Sequence, residues 1–255
     1  MTPERVVVKL GGETLADQFG ALRGVATVAP RYGLILVHGG GKRLSAWLDR
    51  LGIESRWQGG RRVTGDADLE VAAAVLGGLV NAELVAALVR LGVPAVGLSG
   101  IDSGLVIAER IPDLGRVGRV IGARPEVLEP LLTGGQLPVV APLALDETGA
   151  MCNVNADEIA GGLAGALRAR LILLSDTDGV KDGSGLTIDR LGGSRAEKLI
   201  ADGTISGGMI PKVRAAFAVL EAGGAEVVIA DGRAPDAVPR SLEDPGFGTR
   251  LVAQA

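Results

Sequence analysis

Three short, mostly apolar runs of this chain, at residues 6–10, 34–37 and 170–174, lead into loops of glycines or small polar residues, the second of them through His38. Runs of this length and composition predict buried strands, and helical patterns lie between them. This alternation predicts an α/β fold around a mainly parallel sheet. The carboxyl ends of parallel strands share one edge of the sheet, and ligands bind there. The 40 glycines, well above the usual share of about 7%, sit in short clusters between apolar runs rather than forming a low-complexity tract.

The other elements are predicted from the same patterns. Further strands are expected at residues 94–98, 137–141 and 226–230, and hairpins at 104–122 and 146–152. Helices are expected at residues 14–29, 42–51, 66–91, 125–132, 155–167, 195–202 and 211–223. No repeat or linker interrupts the 255 residues, so we predict a single domain, 1–255, made of two lobes that meet near residue 167.

Composition excludes several classes of function. The net charge is −4 and aromatic residues make up 2%, so nucleic acid is not an expected partner. A single cysteine, Cys152, and a single histidine, His38, exclude a disulfide framework and a thiolate or multi-histidine metal site. We find no signal peptide and no apolar run of membrane-spanning length, and therefore expect a cytoplasmic protein without a membrane partner.

The glycine-rich strand ends predict an anionic ligand. Consecutive glycines let backbone N–H groups converge on an anion, and a following helix adds the positive end of its dipole. Lys9 and Lys42 lie beside two of these loops, although any one loop could be an ordinary tight turn. The chain contains neither the GxxxxGK[ST] sequence of a P-loop nor a GxGxxG after its first strand.

Three other segments contain candidate functional residues. Asn153–Asp157 lies where a strand gives way to a helix, so it can either cap that helix or bind a ligand and organise nearby cations. Lys212 falls in the first turn of a predicted helix, where a cation opposes the dipole and is more useful facing a phosphate. Arg61 and Arg62, on a predicted loop, are either a solvated surface pair or a bidentate carboxylate clamp.

Taken in order, these segments resemble the amino acid kinase family. The matching segments, which span nearly the whole chain, are KLGG (9–12), VHGGGK (37–42), GRRVT (60–64), GLSG (97–100), NVNAD (153–157), LILLSDTDGV (171–180), GGMIPKV (207–213) and GTRL (248–251). The resemblance implies a three-layer sandwich. It also implies transfer of phosphate from Mg-ATP to the side-chain carboxylate of N-acetyl-L-glutamate, a step of arginine biosynthesis.

The resemblance also implies residue roles. Lys9 and Lys212 would stabilise the transferring phosphoryl group, and Asp157 would position both lysines. On the substrate side, the implied residues are Gly40 and Gly41 through their N–H groups, Arg62 on the α-carboxylate, and Asn153. The implied nucleotide-binding residues are Gly11, Gly12, Asp176, Thr177, Asp178, Gly179, Val180, Lys181, Thr204, Ile205 and Ser206, most of them in the C-terminal lobe. Mg²⁺ would be held mainly by the nucleotide, with no dedicated protein metal site.

Assembly and alternative substrates are further expectations. Arginine-inhibited members of the family carry a helix before the first strand, whereas eight residues precede Lys9 here, so we expect an arginine-insensitive homodimer. The alternatives are a kinase for carrier-linked aminoadipate or glutamate, a carbamate kinase, and a non-catalytic amino-acid sensor with the same fold. Lys9, Asp157 and Lys212 argue against a sensor, and a carrier-specific enzyme is expected to show more basic surface than Arg61 and Arg62 supply.

Overall fold

An eight-stranded, mainly parallel sheet forms the centre of the protein. The computed structural model describes residues 3–11 and 15–253, without the side chains of residues 15–19. In chain order the strands are β1 (Arg5–Leu10), β2 (Gly33–His38), β3 (Arg56–Gln58), β4 (Arg61–Val63), β5 (Ala95–Ser99), β6 (Val106–Arg110), β7 (Val117–Ala123), β8 (Leu137–Ala141), β9 (Leu143–Asp146), β10 (Met151–Val154), β11 (Arg170–Ser175), β12 (Arg190–Gly192), β13 (Val227–Asp231) and β14 (Thr249–Val252). The order in the central sheet is β12–β14–β13–β11–β1–β2–β8–β5. Strands β13 and β14 are antiparallel, and the other neighbours are parallel.

Helices cover both faces of this sheet. In chain order they are α1 (Leu15–Val28), α2 (Gly41–Arg50), α3 (Asp66–Ala72), α4 (Asn81–Arg90), α5 (Leu128–Thr133), α6 (Ala156–Leu167), α7 (Gly193–Ala201), α8 (Met209–Glu221) and α9 (Ala237–Glu243). On β1, Val7 packs into the core beneath α6 and α8, whereas Val6 and Val8 pack into the core beneath α1 and α4. Strand side chains alternate between faces, so one buried strand contributes to both cores. The predicted three-layer α/β sandwich is confirmed.

Helices α3 and α4 are joined by a π-helical segment, Ala73–Val80, into one helical stretch from Asp66 to Arg90. Its length and mean hydropathy of 1.9 would suffice to cross a membrane, so the expectation that no apolar run reaches that length is wrong. One side of the stretch packs against the sheet and includes fully buried Leu84 and Leu88. Core packing therefore accounts for its apolar composition.

The two predicted hairpins are confirmed and pack together. Strand β6 pairs antiparallel with β7, and β9 pairs antiparallel with β10. Parallel pairing of β6 with β9 and of β7 with β10 closes these four strands into a small barrel. Because β10 leads directly into α6, the barrel sets the starting point of that helix.

The prediction that Arg61 and Arg62 lie on a loop is wrong. Residues Arg61–Val63 form β4, which pairs antiparallel with β3. Gly59 and Gly60 connect the strands with φ values of 57° and 76°, the positive angles of a two-residue type I′ turn. Strands of three residues carry too little alternation to be recognised from sequence. The same shortness hid β12, while β14 and α9 were also not predicted.

Candidate active site

Lys9, Asp157 and Lys212 meet at the carboxyl end of the sheet; we call these three residues the lysine–aspartate centre. Lys9 Nζ lies 2.8 Å from Asp157 Oδ1, and Lys212 Nζ donates to Asp157 Oδ2 at 2.7 Å. The three side chains come from β1, α6 and α8. With one carboxylate between two ammonium groups, the centre has a net charge of +1 at neutral pH.

The amino end of α6 determines the place of Asp157. Asn155 adopts an extended conformation and its side chain accepts a hydrogen bond from the Asp157 N–H at 2.8 Å. This is an N-cap, so the capping role considered for the 153–157 segment belongs to Asn155. Asp157 then lies in the first turn, where the helix dipole favours a negative charge.

Burial and mutual attraction oppose each other in this centre. Lys9 is 8% exposed, and burial lowers its pKa, while Asp157 acts in the opposite direction. Burial raises the pKa of Asp157, but Lys9 and Lys212 outweigh this effect and keep the pKa below its usual value. Asp157 is therefore ionised, and its charge keeps a buried ammonium group available to an anion.

The segment Gly39–Gly41, here called the glycine loop, connects β2 to α2. Gly40 has a φ of 140°, which side chains rarely tolerate, and a Cβ at this position would lie 2.6 Å from Leu76 Cδ2. Gly41 begins α2, so its backbone N–H belongs to the unpaired donors of a helix start. These features suit the loop to an anionic group.

His38 is buried directly before the glycine loop. Its Nδ1 lies 2.7 Å from the Gly39 carbonyl oxygen and its Nε2 lies 3.2 Å from Asn81 Nδ2. The Gly39 carbonyl oxygen can only accept, so Nδ1 carries the proton and Nε2 faces the Asn81 amide as an acceptor; Asn81 Nδ2 also donates to the carbonyl oxygens of Val139 and Leu98. Burial lowers the pKa of His38 to about 4, so it is neutral near pH 7 and acts structurally.

Arg62 is preorganised beside the glycine loop and is 6% exposed rather than solvated. Its guanidinium donates to Ser55 Oγ, to Ser45 Oγ at 2.5 Å and to the Gly41 carbonyl at 3.3 Å. The guanidinium carbon also lies 4.5 Å from the centre of the Trp57 ring. A stacked, hydrogen-bonded arginine loses little entropy on binding a carboxylate.

Asn153 lies on the same side of the site. Its Nδ2 donates to Thr64 Oγ1 at 3.1 Å, which connects β10 to the residue that follows β4. The amide is half-buried, and its oxygen has the chemistry to accept a hydrogen bond from a ligand N–H.

An open cleft of about 360 Å³ lies over the lysine–aspartate centre. Of the predicted residues, those lining the cleft are Lys9, Gly11, Gly41, Asp176 and Lys212. Lys42, Ser45, Trp57 and Ser175 also line it. Lys42 was noted beside a predicted anion-binding loop but was given no role, and Ser45, one helical turn further along α2, was not identified. Trp57 could not be identified from the sequence, because the β3–β4 hairpin that carries it was not predicted.

The remaining predicted nucleotide-binding residues lie around β11 and α8, outside the lining of this cleft. Lys181 Nζ pairs with Asp178 at 2.7 Å and Thr177 Oγ1 donates to the Gly179 carbonyl at 3.1 Å. The side chains of Val180 and Ile205 are buried in the core, so these two residues can meet a nucleotide only through their backbone. Thr204 and Ser206 flank Ile205 just before α8, with Ser206 exposed. Gly12 lies outside the described residues.

The acidic side chains at the cleft decide which divalent cation the site could hold. The described residues contain no group of three or more His, Cys, Asp or Glu side chains suited to a metal. Asp157 is already paired with two lysines, while Asp176 offers a carboxylate in the cleft. Mg²⁺ usually binds one or two carboxylates and completes its shell with phosphates and water, so this set fits Mg²⁺ delivered with a nucleotide.

Comparison with known proteins identifies the family to which this chain belongs. Residues 4–231 match the amino acid kinase family, and the chain belongs to it. Within it, the chain is 45% identical to an acetylglutamate kinase of Solibacter usitatus over 97% of this chain and 99% of that protein. It is 39% identical to an acetylglutamate kinase of Dehalococcoides mccartyi, covering 98% and 94% of the two chains.

Solved structures agree on the fold. The protein smu.665 of Streptococcus mutans superposes with a TM-score of 0.80 at 27% identity, covering 98% of this chain and 99% of that one. Giardia carbamate kinase superposes with a TM-score of 0.74 at 17% identity, over the whole of both chains. At that identity the second likeness concerns the fold alone.

Proposed function

We propose that this chain is an acetylglutamate kinase: it transfers the γ-phosphoryl group of ATP to the side-chain carboxylate of N-acetyl-L-glutamate in arginine biosynthesis. The products are N-acetyl-L-glutamyl 5-phosphate and ADP. The observation that carries the proposal is the lysine–aspartate centre with its net positive charge, beneath a cleft that reaches the glycine loop. The near-full-length similarity to acetylglutamate kinases supports the choice of acceptor.

The reaction requires alignment of two anions rather than a covalent enzyme intermediate. The acceptor carboxylate attacks the γ-phosphorus, the bond to the β-phosphate oxygen breaks, and negative charge spreads over the transferring group. Lys9 and Lys212 stabilise that charge from fixed positions, and Asp157 positions both ammonium groups. Gly40 and Gly41 contribute backbone N–H groups on the acceptor side.

The other end of the acceptor requires recognition of an α-carboxylate and an acetamido group. Arg62 is the candidate for the α-carboxylate, because its planar guanidinium makes bidentate pairs and is already oriented by Ser45 and Trp57. The amide oxygen of Asn153 is the candidate acceptor for the acetamido N–H.

The nucleotide part of the proposal uses the loop after β11 and the loop before α8. ATP would lie over residues 176–181 and 204–206, with Gly11 and Gly12 near its phosphates. Asp176 would contribute to holding Mg²⁺, which neutralises phosphate charge when bound. The proposal includes a substrate lobe up to about residue 167, a nucleotide lobe after it, a homodimeric assembly and a cytoplasmic location.

A hydroxamate assay tests the proposal. Purified protein with Mg-ATP, N-acetyl-L-glutamate and hydroxylamine should form the hydroxamate of an acyl phosphate, whereas free glutamate and free aminoadipate should give none. Lys212→Ala should lower the rate by about 10²–10³-fold, the usual loss for one electrostatic donor. Lys198→Ala, an exposed lysine on α7, is the matched control and should leave the rate unchanged. Absence of product with every free acceptor contradicts the proposal.

A further inference from the structure

Two neighbouring arginines attach the β3–β4 hairpin to two different helices. Arg62 reaches the first turns of α2 through Gly41 and Ser45. Arg61 points the other way, and its Nη2 donates to Glu158 Oε1 on α6 at 2.5 Å. Adjacent strand residues project to opposite faces, so β4 lies clamped between the amino ends of α2 and α6.

The Arg61–Glu158 pair differs from an ordinary surface ion pair. The side chains are 29% and 18% exposed, so solvent screens their attraction less than at a fully exposed site. The second carboxylate oxygen, Glu158 Oε2, accepts the Val120 N–H of β7 at 3.2 Å. The carboxylate is thus fixed from two sides and joins residues 97 positions apart in the chain.

Glu158 directly follows Asp157 in the first turn of α6. Arg61 directly precedes Arg62 on β4. Through β4 and the first turn of α6, the pair therefore connects the guanidinium proposed to bind the acceptor's α-carboxylate with the carboxylate that positions both lysines. The proposed acceptor is a dicarboxylate whose two ends must reach these two places at once.

We infer that Arg61 and Glu158 are positioning residues that set the separation between Arg62 and the lysine–aspartate centre and so select the chain length of the acceptor. This inference rests on the proposed function. One methylene more or less between the two carboxylates moves the reacting oxygen by about one bond length, and misplacement on the order of 1 Å costs about 10²-fold in rate. If β4 is free to shift, the enzyme should accept these shorter and longer acceptors better than it does when β4 is held in place.

The experiment measures kcat and KM for N-acetyl derivatives of L-aspartate, L-glutamate and L-2-aminoadipate, with ATP varied separately. Arg61→Met and Glu158→Gln should raise KM for N-acetyl-L-glutamate about tenfold, the equivalent of one charge-assisted hydrogen bond. Preference for this acceptor over its shorter and longer analogues should fall about tenfold, with KM for ATP unchanged. Arg61→Lys should lose less, and the double exchange Arg61→Glu with Glu158→Arg should restore part of the preference.

Arg5→Met is the matched control. Arg5 forms a 2.6 Å ion pair with Glu129 and its side chain is 13% exposed, but it begins β1 at the opposite end of the sheet from Lys9. Its removal should leave acceptor preference unchanged. If Arg61→Met does not fold, Glu158→Gln and Arg61→Lys, which preserve side-chain volume, decide the question.

The outcomes separate the two proposals. No turnover of any acceptor by the unchanged protein contradicts the proposed function. Turnover of N-acetyl-L-glutamate with unaltered acceptor preference in the Arg61 and Glu158 variants overturns the positioning role. The same conclusion follows if these variants lose kcat equally for all three acceptors, or if the double exchange restores nothing.

Discussion

Replacing Asp157 by asparagine tests the electrostatic reasoning most directly. Asparagine preserves the shape of the side chain but removes the charge that lies within 2.8 Å of two ammonium groups. Lys9, at 8% exposure, then stays buried beside Lys212 and loses the carboxylate with which it is paired. Breaking one partner of a buried ion pair costs about 3–5 kcal/mol, and we expect a loss near the lower end because Lys212 is partly open to solvent.

The same substitution should change the pH dependence of the reaction. Burial already lowers the pKa of Lys9, and Asp157 is the largest of the influences that raise it. Without Asp157 the pKa falls further, so Lys9 loses its proton at lower pH. The alkaline fall of kcat/KM should therefore move to lower pH, and activity near neutrality should drop about 10²–10³-fold.

The assay is ADP release followed over a range of pH, since hydroxylamine itself titrates, together with urea unfolding of each variant. Asp236→Asn, an exposed aspartate before α9, is the control and should change neither measurement. An alkaline limb at the same pH in the wild type and in Asp157→Asn, with a rate loss below tenfold, would refute the role assigned to Asp157.

Three further predictions follow from the glycine loop and its neighbours. Arg62→Lys should raise KM for N-acetyl-L-glutamate about tenfold or more with KM for ATP unchanged, because lysine can neither form a bidentate pair nor stack on Trp57 in the same way; steady-state kinetics with each substrate varied checks this. Gly40→Ala should destabilise the protein by about 1–3 kcal/mol in urea unfolding, since the φ of 140° and the approach to Leu76 exclude a methyl group, whereas Gly183→Ala on an open turn should not. His38 takes up a proton near pH 6.5 in the unfolded chain but only near pH 4 in the folded chain, so acid favours unfolding. Between pH 6.5 and pH 4 the free energy of unfolding should therefore fall by about 3 kcal/mol more in the wild type than in His38→Asn. Urea unfolding at several pH values checks this, and the same pH dependence in both proteins would contradict it.

The central strands and their loops could be predicted from sequence because their signals are local. β1, β2 and β11 are short apolar runs, and a run buried on both faces needs no partner to be recognised as a strand. The glycines after β1 and β2 and the unfavourable place of Lys212 in a first helical turn indicated the anion-binding edge in the same way. Resemblance to a family then assigned roles that spacing alone had left open.

Other features depend on residues far apart in the chain. Arg61 and Arg62 could equally have been a surface pair, and only the folded chain shows that one reaches Glu158 and the other α2. The bond between Asn81 and His38 spans 43 positions and gives no local signal.

The sequence by itself therefore determined the strands, the loops at their carboxyl ends and the chemical types of the site residues, because hydrophobic periodicity and glycine conformation act over a few residues. The tertiary structure decided which charges meet. Lys9, Asp157 and Lys212 are brought together by strand order and by the packing of α6 and α8, and electrostatic attraction depends on distance in space rather than separation along the chain.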